Sequence, residues 1–178
     1  MTPAYPHEDE AALRQTLRAV FQNHLALHHL SLNAAMLTGL WVLSWACRRY
    51  CEMLELPLAA ELDHVRGWLT HRVRDRDDVP PLVLSDEASA ADDDALTTAK
   101  AQAGRLYTVL GQLIDETAVE RGIRIDVLLN VTLGLMADVL CLLQDTLGWD
   151  LEDVEAFIDD ELHEDLTADT QAQQHRGR

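Results

Sequence analysis

A chain of 178 residues with 48% apolar side chains is long enough to bury a sizeable core as one domain or two very small ones. Its 31 acids face 14 bases, a formal charge of −17, and that field repels nucleic acid and anionic membrane while suiting a basic protein partner. An aromatic content of 5%, abundant Leu and Ala, and no alternating Val/Ile/Thr-rich run predict an all-α fold, a helical bundle of about six helices.

Residues 1–7 carry Pro3 and Pro6 and read as irregular. A first helix is expected from Glu8, where Glu8, Asp9 and Glu10 suit the positive end of a helix dipole, to about Ser31. A second runs from Ala34 to Glu55 and stops before Pro57, and a third from Leu58 to Arg74. Residues 1–76 thus form an N-terminal three-helix unit. Leu30 to Cys47 is apolar enough to be weighed as a membrane span. It is interrupted by Ser31, Asn33, Thr38 and Ser44, meets Arg48 and Arg49, and falls short of the length a span needs.

Residues 77–91, with Pro80, Pro81 and clustered acids, read as a linker. The C-terminal unit, 92–166, repeats the three-helix pattern. Its first helix starts at Asp92 to Asp94 and ends at Arg121 before Gly122, and a long apolar helix from Ile123 closes at Gly148. A last helix is capped by Asp150 with Asp153 and runs to about Leu166. The polar tail 167–178 reads as disordered. The apolar helix carries Leu128, Val131, Leu135, Val139, Leu142 and Leu143 on one broad face, and the remaining helices must pack against it.

Sliding the chain by 89 residues lays Leu17 over Leu106, Phe21 over Leu110, Val65 over Val154 and Leu69 over Ile158. That offset predicts two pseudo-equivalent halves, each unable to bury its apolar face alone. The halves differ in charge. Residues 1–89 hold 12 acids and 8 bases, and residues 90–178 hold 19 acids and 6 bases. Cys47, Cys51 and Cys141, an odd number inside apolar helices, read as reduced thiols. The amino terminus lacks the basic start and apolar core of a signal peptide, so a cytoplasmic protein is expected.

Four constellations could carry chemistry. His24 and His28, four apart on the apolar face of the first helix, have the spacing of two helical metal ligands, and Glu61 with His64 forms an E-x-x-H pair like those of di-iron bundles. Iron, zinc or manganese would be the ion; the alternative is two inward histidines hydrogen-bonded to backbone or carboxylates. Arg66 with His71, and Arg18 with His24, match the loose R-x4-6-H spacing of HEPN-type ribonucleases. That resemblance covers two residues, and the polar residue usual after the arginine is Gly67 or Ala19 here.

Trp41, Trp45 and Arg48 share the less apolar side of the second helix, a composition common at protein interfaces. Alternatively, the large tryptophans pack over Gly134 and Ala137 of the long apolar helix. The last helix holds nine acids between Asp150 and Asp165 and no Lys or Arg, with Glu152, Glu155, Asp159 and Asp160 offering a face to a basic partner. Acidic pairs on this helix also resemble those of Mg²⁺-dependent helical pyrophosphatases, although here they cover its outward side. The sequence therefore points to a non-catalytic protein-binding module without a cofactor: an adaptor, a chaperone-like factor, or an inhibitor of a basic partner, including one of DNA-mimic type. A homo-oligomer is a variant of that reading, and a metal-binding bundle is the alternative.

Overall fold

A computed structural model describes residues 6–76, 80–86 and 95–164. Six helices occur among them: α1 (Pro6–Leu27), α2 (Leu32–Leu54), α3 (Leu58–Arg74), α4 (Ala95–Arg121), α5 (Ile125–Leu147) and α6 (Leu151–Phe157). The last continues into a π-helical turn, Ile158–Leu162. No strand occurs among the described residues.

The boundaries follow from local chemistry. Ser31 ends no helix; its hydroxyl accepts from the Ala34 N–H at 3.2 Å and caps α2. α1 therefore stops at Leu27, several residues short of the expected end. Asp150 and Asp153 form the reciprocal cap expected for the last helix, at 3.0 and 3.1 Å. The starting residues Asp92 to Asp94, the end at Leu166 and the tail 167–178 lie outside the described residues.

α1, α2, α4 and α5 make a four-helix core in which α2 packs on α4 and α5, and α1 packs on α5 and α4. α3 lies along α5, and α6 docks on α3. Phe21, Leu43, Leu110, Met136 and Leu140 are fully buried at the centre. α2 comes close to α5 at Gly39, where an added Cβ would stand 2.8 Å from Met136 Sδ and 3.3 Å from Val139 Cγ2. α5 is long and apolar enough to cross a membrane, but 72% of its most apolar window is buried inside the protein. Its apolar face is spent on other helices.

Helix boundaries recur at an offset of 93 residues, where the sequence pattern suggested 89. Leu32 and Leu54 bound α2 where Ile125 and Leu147 bound α5, and Leu58 opens α3 where Leu151 opens α6. The left-handed residues that end helices, His29 (φ 49°) and Glu55 (φ 53°), are 93 before Gly122 (φ 61°) and Gly148 (φ 70°). Packing follows the same exchange in the four-helix core, where α1 on α5 corresponds to α4 on α2 and α2–α5 and α1–α4 map onto themselves, but α3 on α5 has no comparable α6-on-α2 counterpart among the described residues. The 89-residue register sits one helical turn away. Four residues at about 100° each return within roughly 40° of the same face, so apolar periodicity hardly separates the two registers. Helix ends do.

Within the expected linker, Pro80–Asp86 is a strap held against α1. The Gln22 amide donates to the Val83 carbonyl at 2.9 Å and its carbonyl accepts from the Val83 N–H at 2.9 Å. His29 Nδ1 meets the Ser85 hydroxyl at 2.9 Å. Leu82 is buried beneath the strap.

Candidate functional site

The site begins with a missing side chain. On α5, a Cβ at Gly134 would lie 2.9 Å from Arg14 Nε and 3.3 Å from its Cζ, so glycine is what lets this guanidinium lie against the helix. One turn later Asp138 accepts from Arg18 Nε at 2.9 Å and stands 3.7 Å from Arg14. Arg14, Arg18 and Asp138 are all largely buried, with side chains 21%, 16% and 14% exposed, so this charge group is screened far less than a surface pair. Arg18 also donates to the Pro80 carbonyl and so ties the strap to α1.

The C-terminal end of α3 supplies two more cations. Arg76 donates to both Asp145 oxygens at 3.2 and 2.9 Å and to the Gln144 side chain at 3.1 Å. That hydrogen bond, first among its causes, holds the Arg76 pKa above its ordinary value. Arg72 lies 4.6 Å above the Trp68 ring, a cation–π contact. The four arginines converge with Asp138 on a cavity of about 200 Å³ between α1, α3 and α5, closed on the strap side by Pro81 and Leu82. Cys141 lines it too. Burial pushes this thiol up while Arg76 pulls the other way, and the net rise leaves it protonated at neutral pH rather than a poised nucleophile.

The equivalent place in the other half is closed differently. At an offset of 93, Trp41 stands for Gly134 and Tyr107 for Arg14, and the two rings meet edge to face with centroids 6.1 Å apart. Trp45 stands for Asp138 and Gly111 for Arg18. Trp41 and Trp45 are thus partly buried residues of the bundle instead of an exposed patch, and Trp41 packs on α4 rather than over Gly134. Arg48, also partly buried, is near enough to Cys47 to lower its pKa against the larger upward push of burial.

The remaining expected residues are dispersed. His24 Nδ1 is 3.1 Å from the Val20 carbonyl, and its ring stacks at 4.9 Å on His28. Glu61 lies 3.5 Å from the mostly exposed His64 and raises the pKa values of Cys47 and Cys51. Among the described residues no three His, Cys, Asp or Glu side chains are grouped closely enough to hold an ion. The spaced Arg–His pairs go separate ways: Arg66 joins Asp159 at 3.0 Å and His71 joins Asp75 at 3.2 Å, while Arg18 belongs to the cavity. On α6 and the π turn, Glu152, Asp159 and Asp160 are exposed and Glu155 is half-buried.

Arg14, Arg72, Arg76 and Asp138 were not among the residues singled out from the sequence, and Arg18 and Gly134 were singled out only in other roles. A signal did exist. Arg14 with Arg18, and Arg72 with Arg76, are like charges four apart, an arrangement that disfavours an isolated helix and calls for compensating acids elsewhere. Compared with protein families, with curated proteins and with solved structures, the chain matches none.

Proposed function

We propose that the protein is a non-catalytic cytoplasmic binding module that engages a basic protein through the acidic face of α6 and the π turn. The observation that carries this reading is the split of that segment. Val154, Ile158 and Leu162 are buried against the bundle, while Glu152, Asp159, Asp160 and Glu161 stand exposed on the other side. Packing explains the apolar side and asks nothing of the carboxylates, whose mutual repulsion a basic surface would relieve. Arg66 neutralises part of Asp159 and orients it, leaving the others available for contact. An adaptor, a chaperone-like factor or a DNA-mimic inhibitor would each use such a face.

The test is binding to a basic protein captured from the source cells, measured with purified components over a range of salt. Affinity is expected to fall steeply with ionic strength, and Glu152→Gln with Asp160→Asn and Glu161→Gln should weaken it about tenfold or more at unchanged melting temperature. Affinity indifferent to both salt and these substitutions would overturn the reading.

A further inference from the structure

We infer that the groove of α1 beneath the strap is a peptide-reading site, which the strap occupies in cis. In trans it takes an extended segment of another protein that carries a leucine in the place of Leu82. This site is separate from the acidic face of α6 and does not depend on its role.

The first observation is how α1 holds the strap. The Gln22 side chain pairs with both the N–H and the carbonyl of Val83, at 2.9 Å each, as a residue on a neighbouring β-strand does. Arg18 donates to the Pro80 carbonyl. These bonds read main chain, which every extended peptide presents, so they hold the strap without specifying its sequence. In strand-addition complexes such bonds supply affinity, and pockets for side chains supply selectivity.

The second observation is the strap's own side chains. Leu82 is 4% exposed and Val83 is 59% exposed, while Pro80 and Pro81 face solvent and Leu84 is half-buried. Leu82 is therefore the deep anchor. One leucine and a main-chain pair form a contact that another extended segment reproduces without any change in the groove.

The third observation is room. Beside the strap a volume of about 600 Å³ stays open along α1, bounded by Ala11, Gln15 and Ala19 on the helix and by Pro80 and Pro81 on the strap. That lies within the roughly 300–1,000 Å³ of pockets that take drug-sized ligands. A longer segment from outside gains contacts there that the strap does not make. Displacement requires this gain, because a tethered competitor acts at an effective concentration on the order of millimolar. Charge selects the source. Two copies of the chain, each at −17, repel one another, and a strap exchanged between them makes only the contacts it already has. Another protein is free of both handicaps.

The experiment is fluorescence anisotropy with a fluorescein-labelled peptide of residues 79–87, VPPLVLSDE, titrated with the full chain and with two variants that loosen the strap. Val83→Pro removes the N–H that Gln22 accepts and alters an exposed side chain, so the helices stay folded. Leu82→Ala removes the anchor itself; if that variant does not fold, Val83→Pro decides. Each should bind the peptide at least about tenfold tighter than the native chain, because its tethered competitor is weakened. Adding Gln22→Ala to Val83→Pro should lose about tenfold, and so should replacing the peptide's first leucine by alanine. Four apolar residues added at the peptide's amino end should tighten binding, since Pro80 and Pro81 border the open part of the groove. No saturation of Val83→Pro by about 1 mM, equal affinity for native chain and variants, or indifference to the alanine peptide would overturn the proposal. Dimerisation of the native chain that the peptide reverses would also overturn it, by making a second copy's strap the occupant.

Discussion

The α2–α4 cleft and the α1–α5 cleft occupy equivalent places in the two halves and are closed by opposite chemistry. One holds Trp41 against Tyr107; the other holds Arg14 over Gly134, with Arg18 and Asp138 beside it. An aromatic pair gains from burying area and asks little of its surroundings. A partly buried cluster of cations must instead be offset by carboxylates, backbone carbonyls or a ligand. The two clefts show that the helical frame tolerates either solution.

Emptying the aromatic cleft should be the larger insult. Trp41→Ala is expected to cost about 3 kcal/mol in urea unfolding, toward the low end for such truncations because the ring is only partly buried. Asp138→Ala should cost less, about 1–2 kcal/mol. It leaves Arg14 and Arg18 close together with less compensating charge and residual access to water. An unchanged urea midpoint in Asp138→Ala would show that Asp138 does not offset the two arginines.

Cys47 and Leu140 are another equivalent pair, and pH separates them. Burial, then Cys51 and Glu61, push the Cys47 thiol up to about 12. Its proton is therefore held more tightly in the folded chain than in the unfolded one. The resulting stability is fully present below the ordinary thiol range near about 8.5 and declines as pH rises toward the folded value, by at most about 1.4 kcal/mol per pH unit. Urea midpoints between neutral and alkaline pH should show this slope, and Cys47→Ala should reduce it.

Gly134→Ala should displace Arg14, while stability in urea unfolding changes by less than about 1 kcal/mol because better helix propensity offsets the displacement. Smallest of all, Glu55→Gly should stabilise the chain by up to about 1 kcal/mol, since Glu55 holds the left-handed position that Gly148 fills in the other half. A loss of stability there would mean that the Glu55 side chain contributes contacts outweighing its backbone strain.

Much of the frame was legible from local pattern. The existence of six helices, the stop before Pro57, the turns at Gly122 and Gly148 and the cap at Asp150 are written in residues that act within a few positions of themselves. The offset between halves was not, because a shift of four residues keeps nearly the same helix face toward the core. The markers that fix it include His29 and Glu55, whose left-handed conformation no residue-type preference announces as glycine would. The candidate site was less legible still. His24 with His28 had a recognisable spacing and no third partner nearby among the described residues, whereas Arg14, Arg72 and Asp138 are far apart in the chain and carry no shared motif.

Composition and periodicity alone determined an all-α chain whose most apolar helix needs other helices around it, since burial of a continuous apolar face is a demand each helix makes by itself. Which cleft received tryptophan and which received arginines became legible only in three dimensions. The strap and α3 bring Arg18, Arg72 and Arg76 to one cavity beside α5. Electrostatic meaning arises from distances between side chains, and those distances are set by packing, not by position in the sequence.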